Sequence, residues 1–100
     1  MYKLAVLRQV YIDMNRILSY ISEVLDSPMS ADGLTDDFLN AFHHIQEFPY
    51  AAEAYFPIEQ TEEQYRRKIV RQYWILYQVD DSEQTVTVVR IIHTRQNAFF

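Results

Sequence analysis

The chain has no cysteine among its 100 residues, which excludes disulfides, thiolate catalysis and cysteine-based zinc sites. That absence fits a reducing compartment, and a cytoplasmic protein is the expectation. The N-terminal stretch MYKLAVLRQV offers four consecutive apolar residues before Arg8, too few for a signal-peptide core. Nowhere does an apolar run approach the about 18 residues of a membrane-spanning helix, so no membrane partner is expected. Glycine occurs once, at Gly33, and proline three times. Positive charge is scarce, with nine Lys and Arg against fourteen Asp and Glu. What the chain does have is apolar and aromatic mass, 49% and 15% of residues. That is enough for a packed globule of one domain, residues 1–100.

The scarce positive charge is also uneven. Residues 66–95 hold Arg66, Arg67, Lys68, Arg71, Arg90 and Arg95 against Asp80, Asp81 and Glu83, a local balance of +3. The other seventy residues stand at −8. A polyanion would therefore have to meet the C-terminal third, since the rest repels it.

Periodicity divides the chain into elements. Residues 2–7, YKLAVL, read as a strand. Val10, Met14, Ile17, Ile21 and Val24 then recur at steps of three and four, with Leu18 and Leu25 widening the stripe. This predicts an amphipathic helix with Asp13, Arg16 and Glu23 on its outer face, ending near Asp26 before Pro28. A second helix carries Leu34, Phe38, Ala41, Phe42, Ile45 and Phe48 on one side and ends at Pro49. It starts either at a Thr35 cap followed by Asp36 and Asp37, or at Ser30 with Gly33 tolerated inside at about 1 kcal/mol. Residues 49–64 read as loop. From 65 the period becomes two, with strands at 65–70, 73–79 and 85–95. Arg71-Gln72 is poor chemistry for a two-residue turn, where Asn-Gly is favoured. The expected fold is α+β: an N-terminal strand, a two-helix hairpin, then a three-stranded antiparallel sheet packed on the helices.

Two constellations could carry chemistry. In YRRKIVRQYWILYQVDD, alternation puts Arg67, Ile69 and Arg71 on one side and Arg66, Lys68 and Val70 on the other. Such cations either protect a strand edge from pairing or contact phosphate beside the rings of Tyr65, Tyr73, Trp74 and Tyr77. In IIHTRQN, His93 and Arg95 share a face and Arg90 points the opposite way. They would supply an acid or base and a phosphate clamp, or merely a strand end. His43 and His44 point roughly 100° apart and lack a third ligand, so no metal site is expected. Glu59, Glu62 and Glu63 are a solvated acidic loop or, near Arg67 and His93, a general base.

The order RRKIVRQYWILYQVDD…TVTVVRIIHTRQ resembles the C-terminal half of the RelE/ParE toxin superfamily. There a basic strand, a tight turn, a Y-x-I-x-Y-x-V strand and a final strand ending in H-x-R follow one another. Upstream, ISEVLDSPMSADGLTDDFLNAFHHIQEFP is similar to the two-helix segment. The resemblance implies a toxin of a type II toxin–antitoxin, plasmid-stabilising module, acting without cofactor or metal and neutralised by a cognate antitoxin. RelE-like relatives cut mRNA on the translating ribosome; ParE-like relatives inhibit DNA gyrase. In a ribonuclease, Arg67, His93 and Arg95 would be catalytic. Arg66, Lys68, Arg71, Trp74 and Arg90 would contact nucleic acid or target. The tail has no Tyr after Tyr77, Trp74 stands where many relatives carry Arg, and the chain is acidic. These departures, with the IIHTRQ ending, favour the gyrase-directed reading over the ribonuclease. The third possibility is an inactive binding module on the same fold.

Overall fold

The computed structural model describes residues 1–55 and 64–96. Its elements are β1 (Lys3–Val6), α1 (Arg8–Ser19), a five-residue π-helical turn (Tyr20–Val24), α2 (Pro28–Glu47), β2 (Glu53–Tyr55), β3 (Tyr65–Val70), β4 (Tyr73–Asp80) and β5 (Thr85–His93). They form one sheet in the order β1-β5-β4-β3-β2, in which β1 runs parallel to β5 and all other pairs are antiparallel. The α+β class is as expected, but the sheet has five strands. The N-terminal strand joins the hairpin strands, and β2 lies within the interval read as loop.

Helix α2 lays Leu34, Phe38, Ala41, Phe42 and Ile45 against Ile75 and Tyr77 of β4 and Val86, Val88 and Ile91 of β5, with Val10 of α1 beside them. The apolar stripes expected from spacing therefore form the core, with three exceptions. Phe48 is the C-terminal cap of α2 and half exposed. Val24 and Leu25 point to solvent, because the π-turn has more residues per turn than an α-helix and rotates the end of the stripe off the core.

Helix α2 also begins earlier than either start read from sequence. Ser27 is its cap and Pro28 its first residue, a position where the missing N–H costs nothing. Thr35 is an interior residue whose hydroxyl donates to the Ala31 carbonyl at 2.9 Å. Gly33 is likewise interior. The β3–β4 connection is a tight turn despite its chemistry, with Arg71 at φ 53°. Two tertiary bonds hold it. Arg71 Nε donates to Asp37 at 2.7 Å, and Thr94 N–H donates to the Gln72 carbonyl at 2.8 Å.

Asp13 is the largest departure. It is 3% exposed instead of facing water. β1 ends opposite Val88, so among the described residues β5 beyond that point has no strand on its outer side, and α1 crosses there. Asp13 supplies the missing acceptor: it takes the Ile91 N–H at 3.0 Å, Arg90 at 2.9 and 3.2 Å, and the Gln9 amide at 3.0 Å. A buried carboxylate is tolerable only with partners of this kind. Opposite Leu76 and Tyr77, Val89 is an extra residue in β5, a bulge that sets the two faces of its second half.

Candidate functional site

β3 sorts its side chains as alternation requires. Arg66, Lys68 and Val70 face the helices; Arg67 and Ile69 face the far side of the sheet. The far side carries a second cluster of Leu76, Val89 and Ile92 with Tyr55, Tyr65 and Trp74. The four aromatics are thus divided, since Tyr73 and Tyr77 belong to the helix-side core.

The cations of this region are matched inside the molecule. Arg67 Nε donates to Glu53 Oε1 at 2.6 Å, and its guanidinium lies 4.5 Å from the Tyr55 ring centre and 4.1 Å from that of Trp74. Arg66 donates to the Ala52 carbonyl at 2.8 Å and lies over Tyr50 at 4.7 Å. Arg71 is paired with Asp37 and Arg90 with Asp13. Neither Lys68 nor Arg95 has an ion pair among the described residues. Arg66 and Arg67 of β3 therefore hold β2, the segment before it and β4, Arg71 in the following turn holds α2, and Arg90 of β5 holds α1.

His93 stands at the end of β5 opposite Tyr73, with the two rings edge-on at 5.5 Å. Its Nδ1 accepts the Arg95 N–H at 3.1 Å, and Nε2 lies 3.4 Å from Gln72 Oε1. The strand stops at His93, so Arg95 sits in the following turn and not on a shared strand face. Arg67 pairs with Leu76, an odd number of positions from Tyr73, so it projects from the opposite face to His93. The catalytic combination of Arg67, His93 and Arg95 is therefore not assembled. A base and a phosphate clamp must reach one substrate atom within about 3 Å. Glu59, Glu62 and Glu63 lie outside the described residues. Among the described residues no group of His, Asp and Glu could hold a metal ion, and no helix is long and apolar enough to cross a membrane.

The sheet edge carries a trough. β2 covers β3 only along Tyr65–Arg67, so among the described residues Lys68, Ile69 and Val70 present an edge without a strand. Between that edge and α2 lie two hollows of about 290 and 390 Å³ that share His44, Lys68 and Ile69. Phe48 and Trp74 line one; Asp37 and Arg71 line the other. A second fastening closes the far end of the sheet. Asp81 accepts the hydroxyls of Tyr2 at 2.7 Å and Tyr50 at 2.6 Å. These bonds hold the Asp81 carboxyl below its usual range and push Tyr50 up to about 12, with Tyr2 also raised by its bond to Asp81.

The architecture is α+β, a two-helix hairpin against a mixed five-stranded sheet. Over residues 6–98 the sequence matches the family model described as ParE toxin of type II toxin-antitoxin system, parDE. The chain belongs to that family. Among solved structures it is similar to the chromosomal ParDE toxin–antitoxin system from P. aeruginosa, with TM-score 0.73 and 19% identity over 93% of this chain and 96% of that one. It is also similar to the toxin–antitoxin complex RelBE2 from Mycobacterium tuberculosis, with TM-score 0.59 and 18% identity over 92% and 90%. A search of curated proteins finds no match.

Proposed function

We propose that the chain, as one domain of residues 1–100, is the cytoplasmic toxin of a ParDE-type module that inhibits DNA gyrase, and that it does not cleave RNA. The observation that carries this reading is the separation of Arg67 from His93 across the sheet, with Arg67 already bound to Glu53, Tyr55 and Trp74. Metal-free RNA cleavage needs cations free to meet a crowded phosphate, and here Arg66, Arg67, Arg71 and Arg90 are engaged within the molecule. The ParE match over residues 6–98 supports the same side of the superfamily.

The antitoxin, in this reading, adds an extended segment along Lys68–Val70 in the trough beside α2, where an edge that no strand of the described residues pairs offers backbone hydrogen bonds. Lys68, Arg71 and Trp74 border it and would grip that segment. Arg90 serves β5 through Asp13. The test is ATP-dependent supercoiling of relaxed plasmid by purified gyrase with the purified chain added. Progressive inhibition is expected. Full supercoiling at saturating protein contradicts the reading, and mRNA cleavage on programmed ribosomes that is lost on His93→Ala would replace it with the ribonuclease.

A further inference from the structure

The helical hairpin ends in an exposed apolar tip that the core does not use. Tyr20, Val24, Leu25 and Met29 are 54%, 66%, 56% and 86% exposed, all within ten residues at the turn between α1 and α2. The backbone there is specifically shaped. The Leu25 N–H donates to the Tyr20 carbonyl at 3.1 Å and the Ser27 N–H to the Ile21 carbonyl at 3.1 Å, while Asp26 turns the chain at φ 51°. Ile21 faces inward against the core, so the segment is anchored while its neighbours face water. π-helical turns inserted in helices are frequent at functional sites.

The charge around the tip is of one sign. Between Ile17 and Thr35 there are Glu23, Asp26 and Asp32 and no Lys or Arg, the nearest preceding cation being Arg16. Glu23, Asp26 and Asp32 flank the apolar residues and make no ion pair among the described residues. This surface repels nucleic acid and anionic membranes. Its complement is a protein cleft with an apolar floor and a Lys/Arg rim, because exposed apolar anchors ringed by charge bind that way.

We infer that the α1–α2 tip is the surface with which this toxin engages its protein target, inserting Val24, Leu25 and Met29 into an apolar cleft whose basic rim meets Glu23 and Asp32. This rests on the toxin reading above. It assigns the tip to the target and leaves the β3 trough to the antitoxin.

The test compares the full wild-type chain with two variants. One is the triple change Val24→Ser, Leu25→Ser and Met29→Ser; the other is Glu23→Lys with Asp32→Lys. All five side chains are exposed, so melting temperatures should match wild type, and the charge variant keeps the test open if the triple one misfolds. Each is expressed alone for growth arrest, assayed in gyrase supercoiling, and co-expressed with the antitoxin for co-purification. Both variants should need at least about tenfold more protein for the same effect, the scale of losing interface anchors, while still co-purifying with antitoxin. Variants as potent as wild type overturn the inference, as does loss of antitoxin binding with potency intact. Growth arrest by wild type without gyrase inhibition removes only gyrase, and the tip is then judged on growth arrest. A wild-type chain that arrests nothing removes the toxin reading and this inference with it.

Discussion

The basic sheet hairpin and the acidic helical hairpin use charge in opposite ways. On β3, the turn after it and β5, Arg66, Arg67, Arg71 and Arg90 are each tied to a carbonyl, a carboxylate or a ring. On the helical side, Glu23, Asp26 and Asp32 stand without ion pairs among the described residues, next to exposed apolar groups. A cluster of like charge in a sequence therefore does not by itself mark a binding surface. The conspicuous cations hold the fold together, while the sparser acidic tip remains available.

The largest effect in this comparison should come from the Asp13–Arg90 pair, whose carboxylate is buried. Asp13→Ala leaves Arg90 and the Ile91 N–H without their acceptor and should cost about 3–5 kcal/mol, a large part of the about 5–15 kcal/mol that holds a domain together. Denaturant unfolding would show it as a lower midpoint. Asp13→Asn, which can still accept from Ile91, should lose less. Next comes Gly33→Ala. A Cβ there meets only Arg71 Nη2 at 3.7 Å, so the change should stabilise by about 1 kcal/mol through helix propensity. No gain would indicate that α2 does not run through Gly33. Smaller still is the exposed Arg71–Asp37 pair: Asp37→Asn should cost about 0.2–1 kcal/mol, falling at high salt.

The Tyr2–Asp81–Tyr50 fastening gives the pH dependence. Asp81 is lowered on folding, so its contribution is present above the ordinary Asp value of about 3.9 and is lost as pH falls through its lower folded value. Tyr50 is raised to about 12, so its contribution is present below about 10 and is lost as pH rises toward 12. Thermal melts across both windows should show two slopes. Asp81→Asn should reduce the acid slope, leaving the part that comes from Asp80, which its bonds from Ser82 and Glu83 also hold low. Tyr50→Phe should reduce the alkaline one.

Much of the fold was legible because period sets it. The two-residue alternation of YRRKIV and YWILYQV specified the hairpin, and the stripe from Val10 to Ile21 specified α1. Asp13 was misplaced because a carboxylate on an amphipathic helix is ordinarily solvated. Yet it lies three residues after Val10 and four before Ile17, squarely in the apolar stripe, and Arg90 is the distant partner that only the fold brings near. β2 was missed because Glu53–Tyr55 is three residues long and is a strand only through its pairing with β3. The π-turn leaves no periodic signature in so short a segment, so the exposure of Val24 and Leu25 was invisible. Of the site, residue types and the faces of Arg66 to Val70 were readable. Arg71, which turns to Asp37 on α2 instead of sharing the Arg67 face, Arg95, which lies past the end of β5, and the pairing of each arginine were not.

The most direct measurement is pulse-labelling of DNA and protein synthesis in the first minutes after the chain is induced without antitoxin, in wild type and His93→Ala. The account predicts that DNA synthesis falters first and that His93→Ala behaves like wild type. Protein synthesis stopping first, with growth restored by His93→Ala, would contradict it.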